Sequence, residues 1–450
     1  MKFKNTLILA VILAIGIAGV VLMNKQDKRR EETKKSEEKV LEFETGDIQR
    51  VALLQSGIEA VKDSLSWRIT QPVQTEADKS AIETLINAVK SARKERIISS
   101  DPSEYSVFGL QPPLHTLVLA RASRIDTLYI GDDSPTGSYV FARLSGSPEV
   151  FLTSTWVRTQ AEKTLFDLRN KAVLGFETFQ VRSLQLQNRN GRFALDKQGG
   201  EWKITSPIQA AADKSEVEKV INRLQSERMR SIVVEQSDDL KPYGLDAPKM
   251  RVELGLGENL ARKTLLIGKA TEDKYYARDE SRPTIFLVDS SFVSVLNPTL
   301  FDLRDKKLAK FASTDVSKFE LEFRGQTIVC SKDTSGTWTV EQPERREGKS
   351  WKMSSIVREA ADLEVKKFVD QPVSPTVSGL NSPHVRAKFY QDDKVVMDIT
   401  LGKVEGDLIY AKLADQPALY LVDKKVLETW TPKLDDISEV KAQSESTPVQ

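Results

Sequence analysis

Apolar side chains recur with a helical period in three separate parts of the chain. Each group places four apolar residues at positions i, i+3, i+4 and i+7, which lie on one face of a helix. The three groups are Ile82, Leu85, Ile86 and Val89; Val217, Val220, Ile221 and Leu224; and Met353, Ile356, Val357 and Ala360. One apolar stripe per group predicts three amphipathic helices, each packed on a sheet.

The residues before the stripes predict how these helices begin. Asp78 and Asp213 lie where an N-cap residue is expected, and Glu216 follows Asp213 at the spacing of a capping box. The third stripe departs from this pattern and offers Ser350 or Ser354. We therefore expect aspartate caps on the first two helices and a serine cap on the third.

Short runs of alternating apolar and polar residues follow each helix pattern, and they are rich in β-branched and aromatic side chains. The runs are 115–120, 127–130, 139–143 and 150–152; then 252–254, 264–267, 275–278 and 285–288; then 387–389, 399–401, 409–412 and 419–422. Gly, Asp, Ser and Pro separate them at short intervals, which favours antiparallel meanders over a wound parallel sheet. The predicted fold class is α+β.

The same landmarks return at an almost constant spacing. Trp67, Trp202 and Trp338 open similar segments that end in proline, and they lie 135 and 136 positions apart. A Gly-Leu-x-x-Pro segment also occurs three times, at residues 109–113, 244–248 and 379–383. Self-similarity at a fixed period indicates tandem copies of one domain.

We predict three tandem α+β domains of about 130 residues, a length that can bury its own core. They run over 41–173, 174–309 and 310–437, each with antiparallel meanders, one amphipathic helix and a short C-terminal helix. Residues 1–23 are assigned to a cytoplasmic start and transmembrane signal anchor, 24–40 to a charged stem, and 438–450 to a disordered tail.

The anchor assignment rests on residues 7–23, an uncharged apolar run of 17 residues with basic residues on both sides. This length is short for a spanning helix but longer than the core of most cleaved signals, so a cleaved signal peptide stays an alternative. Basic residues after the run would keep the body in the cytoplasm on a simple positive-inside count. Because long domains translocate largely regardless of charge, we expect a single-pass protein of the inner membrane with an extracytoplasmic, periplasmic body.

One eight-residue segment occurs twice in the chain, with a difference at a single position. TLFDLRNK occupies residues 164–171 and TLFDLRDK occupies 299–306, at the ends of the first two copies. The matching end of the third copy, residues 433–438, lacks the Phe and the Arg. Because only the third copy has no successor, we predict that Phe166, Arg169, Phe301 and Arg304 dock each domain onto the next, with the Phe buried and the Arg paired. The alternative is that these residues only complete the last helix of their own copy.

These repeated segments resemble a bacterial family, domain of unknown function 4340. The resemblance is carried by the Trp-x-Ile-x-x-Pro opening, the Gly-Leu-x-x-Pro turn, the Ile-Gly strand end, the Tyr-x-Ala-Arg strand and the Asp-Leu-Arg-x-Lys exit. All three copies resemble the domain. The resemblance implies a membrane-tethered envelope protein, similar to proteins associated with ABC-type transport systems of the gliding-motility auxiliary kind. It supplies no catalytic residue.

Composition and rare residues argue against several classes of protein. A net charge of +1 gives no field that would attract nucleic acid, and 29% charged residues exclude a polytopic membrane protein. Cys330 is the only cysteine, so no intrachain disulfide can form, and we expect it to be buried. His115 and His384, the only two histidines, occupy different frames of the repeat, which argues against a triad or a two-histidine metal site.

Two repeated positions could still contact a ligand. Arg143, Arg278 and Lys412 form a repeated cation beside an aromatic strand, where a cross-strand ion pair is favoured over a ligand carboxylate or phosphate. The three repeated tryptophans could stack on sugars, but their alternating strand pattern favours core packing.

The function expected from these features is that of a non-enzymatic scaffold. Three copies that keep folding landmarks without a cluster of titratable groups are typical of a binding array. We expect protein–protein interaction with a membrane complex, with ABC transporter subunits as candidates, contact with the bilayer through residues 7–23, no nucleic acid and no cofactor. An envelope glycan- or lipid-binding module is the alternative, and an enzyme ranks last.

Overall fold

The computed structural model describes residues 38–64 and 66–439. The predicted anchor at residues 7–23 lies outside the described residues, as do most of the predicted stem and tail. Among the described residues, no helix is both long enough and apolar enough to cross a membrane.

Three antiparallel sheets of nine strands form the framework of the described chain. With the strands of each copy counted in chain order, every sheet has the order fourth, third, second, first, sixth, seventh, eighth, ninth, fifth. Each sheet therefore joins two four-stranded meanders side by side at the first and sixth strands. The predicted antiparallel α+β architecture is confirmed.

The strand bounds repeat closely from copy to copy. The first copy has Arg50–Leu53, Ile58–Asp63, Ser66–Gln71, Thr75–Glu76, Arg96–Ser99, His115–Ala120, Ile125–Asp133, Tyr139–Leu144 and Val150–Ser154. The second has Val181–Asn188, Gly191–Gln198, Glu201–Ser206, Ala210–Ala211, Ser231–Val234, Met250–Leu256, Ala261–Thr271, Lys274–Asp279 and Ile285–Asp289. The third has Lys318–Phe323, Gln326–Lys332, Trp338–Gln342, Arg346–Glu347, Lys367–Val369, Val385–Gln391, Lys394–Glu405, Leu408–Leu413 and Leu419–Asp423.

Each copy has one long helix after its fourth strand. Two short helices follow its ninth strand. The long helices are Lys79–Ser91, Lys214–Ser226 and Ser350–Ala361. The short pairs are Thr155–Ala161 with Leu165–Leu168, Ser290–Val295 with Leu300–Leu303, and Val426–Trp430 with Leu434–Ile437; the third copy adds Pro375–Ser378. Short 3-10 helices occur at Thr45–Asp47, Pro102–Phe108, Thr178–Gln180, Lys241–Tyr243 and Ser313–Asp315. The predicted last helix of each copy is present, whereas the helix before it was not predicted.

All twelve residues of the predicted stripes are buried, so the three amphipathic helices are confirmed. Asp78 and Asp213 cap the first two helices and accept hydrogen bonds from the Ala81 and Glu216 amides (3.1 and 3.2 Å). The Glu216 carboxylate binds Lys219 Nζ at 3.1 Å, so the predicted capping box is not completed. The third helix has Lys349 at its N-cap without a side-chain cap, and the predicted serine cap is wrong because Ser350 is already helical.

The chain divides into two compact units. The first contains the described residues up to Val173 together with Arg228–Glu235, and the second contains Leu174–Glu227 and the described residues from Gln236 onward. The first sheet lies in the first unit, and the third sheet lies in the second. The predicted boundaries between three domains stay a prediction.

The core of the first unit lies between the long helix and one face of the first sheet. Trp67, Leu85, Leu117, Phe151 and Leu168 belong to the same buried cluster. The corresponding cluster of the third copy includes tilted aromatic contacts, with ring centroids 5.3 Å apart for Phe319 and Trp338 and 5.4 Å apart for Phe389 and Trp430.

Trp67, Trp202 and Trp338 are all buried. Their predicted packing role is therefore confirmed, and the interpretation of these tryptophans as sugar-stacking platforms is wrong. The alternation of the strand that carries each of them turns the indole toward the core.

Two repeated glycines touch each other in every copy. The glycine of the Gly-Leu-x-x-Pro turn has a positive φ, between 66° and 70° in the three copies. A second glycine ends the Ile-Gly or Leu-Gly run of a later strand. A Cβ added to this strand glycine would lie 2.1 Å from the carbonyl oxygen of the residue before the turn glycine. These pairs of strand glycine and oxygen are Gly131 with Phe108, Gly268 with Tyr243, and Gly402 with Ser378. The motif is therefore a close backbone contact, which supports its structural interpretation.

Residues assigned to the stem and to the tail form backbone hydrogen bonds with the first and third copies. The Val40 amide donates to the Ala92 oxygen (3.0 Å), and Lys94 donates to Glu38 (2.6 Å), although residues 38–40 were assigned to the stem. The Glu439 amide donates to the Glu347 oxygen (2.9 Å), although it was assigned to the tail. These backbone bonds place residues 38–40 with the first copy and 438–439 with the third.

Cys330 is expected to resist thiol reagents while the chain is folded. It is fully buried, as predicted, and burial raises the pKa of its thiol to about 12. At pH 8 only about one thiol in ten thousand would be the reactive thiolate. Dithiobis(nitrobenzoate) should therefore label Cys330 only in denaturant, whereas a control cysteine at the exposed position, Val107→Cys, should react at once. Fast labelling of Cys330 in the native protein would contradict its burial.

Candidate functional site

The repeated octapeptide forms a short helical turn at the end of each copy. We call residues 164–171, 299–306 and 433–438 the closing turns. Each contains a helix of four residues, namely Leu165–Leu168, Leu300–Leu303 and Leu434–Ile437. The third closing turn keeps the helix although it lacks the Phe and the Arg.

The Thr and Asp of the octapeptide cap this helix reciprocally. Thr299 Oγ1 accepts a hydrogen bond from the Asp302 amide (3.2 Å), while the Asp302 carboxylate accepts from the Thr299 amide and hydroxyl (both 2.7 Å). Thr164 and Asp167 form the same capping box. The hydrogen bonds from the Thr299 amide and hydroxyl lower the pKa of Asp302. The Thr-x-x-Asp spacing could have predicted this box from the sequence.

The lysine of the octapeptide closes the other end of the helix. Lys306 Nζ donates to the carbonyl oxygens of Asp302 (2.9 Å) and Arg304 (3.2 Å), and Lys171 binds the carbonyls of the first closing turn in the same way. These carbonyls have no partner within so short a helix. Lys306 Nζ also lies 2.9 Å from Asp213 Oδ2; although burial opposes it, this contact lowers the pKa of Asp213.

The inner aliphatic residue of each turn packs into its own copy. Leu168, Leu303 and Ile437 are buried. Their carbonyls accept hydrogen bonds at 2.8 Å from the N-cap residues of the long helices, which are Asp78, Asp213 and Lys349. The closing turn therefore completes its own copy, as the alternative interpretation expected.

The two arginines contact carboxylates of a later segment. In the first unit, Arg169 Nη1 and Nη2 donate to the Oε1 and Oε2 atoms of Glu235 (2.9 and 3.0 Å), and the Arg169 side chain is only 4% exposed. In the second unit, Arg304 Nη1 lies 2.7 Å from Asp370 Oδ1, and its side chain is 11% exposed. Both pairs span 66 positions along the chain. That these contacts dock one domain onto the next stays a prediction.

The phenylalanines lie closer to the surface than predicted. Phe301 is 36% exposed, so the expectation that it is buried is wrong, and Phe166 is half-buried. Residues two positions apart on a helix point to opposite sides, so the inward Leu303 turns Phe301 outward. The Phe301 ring still meets the Phe368 ring edge-on, with centroids 5.7 Å apart, and Arg304 Cζ lies 3.5 Å from the centroid of the Phe368 ring.

A backbone contact repeats beside these side chains. The segments at 38–40, 171–173 and 306–308, which we call entry segments, each pair with the residues that follow a long helix. The pairs are Lys39 with Arg93, Ala172 with Arg228, and Lys307 with Glu364. The chain therefore makes the same backbone contact at the start of each copy.

The repeated cation does not form the ion pair that was favoured. The Arg143 guanidinium lies between two rings, 4.4 Å from the Tyr105 centroid and 4.0 Å from that of Tyr129. Arg278 Nε donates to the Arg282 carbonyl (3.1 Å), and Lys412 is exposed. Within residues 38–64 and 66–439 none of the three forms an ion pair, so that interpretation is wrong; a ligand contact stays a prediction. The three cations lie in different sheets.

The two histidines belong to different copies and have different partners. His115 Nε2 is 3.4 Å from Glu162 Oε1, and His384 Nδ1 is 2.8 Å from the Gly402 carbonyl oxygen. The structure, over the residues that it describes, shows no group of His, Cys, Asp or Glu side chains able to hold a metal ion.

Thr299→Ala should lower the free energy of unfolding of the second unit by about 1 kcal/mol, because the cap of the second closing turn is lost. Thr299→Ser keeps the hydroxyl and should cost much less. Chemical denaturation measures both. Because the pKa of Asp302 is lowered, its stabilisation is present above the unfolded value of about 3.9 and is lost as the pH falls through the folded pKa. The difference between wild type and Thr299→Ala should therefore shrink in acid. An equal loss for Ser and Ala would contradict the cap.

Comparison with known proteins identifies a family. The profile described as Domain of unknown function (DUF4340) matches residues 67–203 and again residues 202–383. The two matches are tandem and contain the first and second closing turns; the remainder of the third copy lies beyond them. No curated protein matches the chain. Since the matches together extend over more than half of the 450 residues, the chain belongs to the DUF4340 family.

Proposed function

We propose that this protein is a non-enzymatic scaffold anchored in the inner membrane through residues 7–23, with an extracytoplasmic body. Its three copies would provide surfaces for protein–protein interaction in a membrane complex, as an accessory to an ABC-type transport system. The membrane and transport parts rest on the apolar run and on the family resemblance.

The observation that carries the scaffold proposal is the repeated link between a closing turn and a later segment. Arg169 holds Glu235 within the first unit, and Arg304 holds Asp370 within the second, at the same sequence separation. An arginine that is almost entirely buried and bound to a carboxylate restricts the motion of both segments. Links of this kind suit a scaffold, because they hold a closing turn and a later segment of the chain in a fixed arrangement.

The features that repeat in all three copies also support a scaffold. The buried tryptophans, the touching glycines and the helices of the closing turns are devices that stabilise a fold. Exposed aromatic residues differ between the copies, with Trp156 in the first, Phe179 in the second and Trp351 in the third, so each copy offers a different surface to a partner. Variation on a constant framework is typical of repeat proteins that bind proteins.

The alternative of a glycan- or lipid-binding module ranks lower. It was motivated by the repeated tryptophans, which are buried, and by the repeated cation. Arg143 alone lies between tyrosine rings, and neither Arg278 nor Lys412 repeats this arrangement.

Co-isolation from native membranes tests the proposal. The full chain, purified in mild detergent, should bring membrane subunits with it, and a reporter fused after Ile437 should be active only outside the cytoplasm. The Ile12→Arg, Ile15→Arg double variant is the control, because two charges in the apolar run should release the chain from the membrane fraction. Repeated isolation of a monomer without subunits would contradict the scaffold, and a cytoplasmic reporter signal would contradict the topology.

A further inference from the structure

The hairpin between the first two strands of the second sheet carries the pair Asn190-Gly191, which occurs nowhere else in the 450 residues. It joins the strands Val181–Asn188 and Gly191–Gln198, and both residues of the pair are exposed. Gly191 has a φ of 139°, in the region that other residues rarely adopt. The backbone of this turn therefore requires a glycine after the asparagine.

Asn190 holds a distant segment through its side-chain amide. Its Nδ2 atom donates hydrogen bonds to the carbonyl oxygens of Asn297 (2.9 Å) and Pro298 (3.3 Å). Asn188 donates from its own Nδ2 atom to the carbonyl oxygens of Leu296 and Pro298, both at 3.1 Å. We call these four hydrogen bonds the amide clamp.

The amide clamp lies directly before the second closing turn. The clamped residues 296–298 follow the short helix Ser290–Val295, and Thr299 after them is the N-cap of the closing helix. Leu296 and Pro298 are buried. Carbonyl groups at the end of a helix carry a partial negative charge and need hydrogen-bond donors. The two asparagine amides supply these donors.

The matching hairpin of the third copy turns without an asparagine. It joins Lys318–Phe323 to Gln326–Lys332 through Arg324 and Gly325, whose φ values are 50° and 73°. A hairpin at this place in the sheet can therefore form with a glycine and without an asparagine. The contribution of Asn190 in the second copy thus lies in the clamp rather than in the turn.

We propose that Asn190 is a site of spontaneous deamidation. The Gly191 amide nitrogen gives its proton to a hydroxide ion and attacks Asn190 Cγ. The bond from Cγ to Nδ2 then breaks, and Nδ2 leaves as ammonia with a proton from water, which restores the hydroxide ion. Water opens the resulting five-membered succinimide at either carbonyl and yields aspartate or isoaspartate. Glycine favours the first step, because no side chain lies beside the attacking nitrogen.

The product loses its half of the amide clamp. A carboxylate has no hydrogen to donate, so both hydrogen bonds from residue 190 disappear. Its negative charge also lies against carbonyl oxygens that follow a helix, where the helix dipole disfavours an anion. We therefore expect residues 296–298 to come away from the hairpin and the start of the second closing turn to loosen. The loss of ammonia makes this change one-way, and the inference does not depend on the scaffold proposal.

Peptide mapping of the full chain tests the reaction. The chain is incubated in detergent in warm, mildly alkaline buffer and digested with chymotrypsin, and the peptide of residues 187–193 is analysed by mass spectrometry against an unincubated sample. Asn190 should be converted mainly to isoaspartate, because a succinimide opens to this product whereas direct hydrolysis gives only aspartate. Asn188 in the same peptide is buried and is followed by arginine, so it should stay an amide.

Two outcomes of the mapping would overturn the proposal. One is that Asn190 is converted only after the chain has been denatured. The other is that Asn188 and Asn190 are converted equally fast. Asn190→Ser removes the reacting amide, and its peptide should show no gain in mass on incubation.

Asn190→Asp tests the effect on the clamp, and Asn259→Asp is its matched control. Asn259 lies in the exposed turn between Met250–Leu256 and Ala261–Thr271 of the same unit, so its replacement adds the same charge outside the clamp. Asn190→Asp should make hydrogen exchange in residues 296–303 about tenfold faster, because the lost hydrogen bonds allow more frequent local opening. Asn259→Asp should leave this exchange unchanged. Equal exchange in the two variants would overturn the expected loosening.

Discussion

Gly268→Ala is expected to lower the free energy of unfolding of the second unit by about 3 kcal/mol, an effect at the upper end for a single added methyl group. Its Cβ would lie 2.1 Å from the Tyr243 carbonyl oxygen and 3.2 Å from the backbone of Gly244. A side chain could rotate away from such a contact, but here a turn and a strand of the backbone must move apart. Chemical denaturation of the full chain, followed by circular dichroism, measures the loss.

Gly175→Ala is the matched control in the same unit. A Cβ at Gly175 meets nothing within 4 Å, and its φ is not in the left-handed region. Its effect should stay within about 0.5 kcal/mol of zero, because the added methyl group meets no atom and the lower entropy of the unfolded chain favours the folded state slightly. Similar losses for Gly175→Ala and Gly268→Ala would show that the close contact between the turn and the strand is not the cause.

Replacing Phe301 and Arg304 by Ala is expected to loosen the strand Lys367–Val369 while the sheets stay folded. Arg304 is 11% exposed, contacts the Phe368 ring at 3.5 Å and binds Asp370 at 2.7 Å. The cation–π contact and a charged hydrogen bond of a half-exposed carboxylate together contribute about 2 kcal/mol, which corresponds to local opening about 30-fold more often. Hydrogen exchange in 367–370 and proteolysis near Asp305 should both become faster.

Single variants separate the two contacts of Arg304. Asp370→Asn removes only the negative charge and should have a smaller effect, whereas Phe368→Ala removes the ring beneath the guanidinium. The exchange Arg304→Asp with Asp370→Arg should recover part of the ion pair. Phe179→Ala, at an exposed position of the same unit, is the control. Unfolding of the second copy in the double variant would show that the closing turn mainly stabilises its own copy.

The periodic elements follow from the sequence because periodicity is a local property of the chain. Ile82, Leu85 and Ile86 face one way in any helix, so their spacing is enough to predict the buried side of the first long helix. The strand run at His115–Ala120 was predicted with the bounds that the structure has. The length of the repeat came from residue identities alone, since Trp67, Trp202 and Trp338 need no structure to be aligned.

Local chemistry that depends on a few neighbouring residues was only partly predicted. The cap at Asp213 was expected, but Glu216 turned to Lys219, because a lysine one turn away competes for the same carboxylate. The burial of Phe301 was expected from its apolar character. A helix of four residues has only one side that faces the core. Leu303 lies on that side, so Phe301 lies closer to the surface.

By itself the sequence determined the α+β class, the three long helices, the antiparallel strands and the repeat that places DUF4340 tandemly in this chain. Only the tertiary structure decided which distant groups meet, such as the strand glycine Gly268 against the Tyr243 carbonyl and Arg304 on Phe368. The physical reason is that side-chain periodicity is set by the local backbone, whereas these contacts depend on strand order, which brings together residues with no pattern in common.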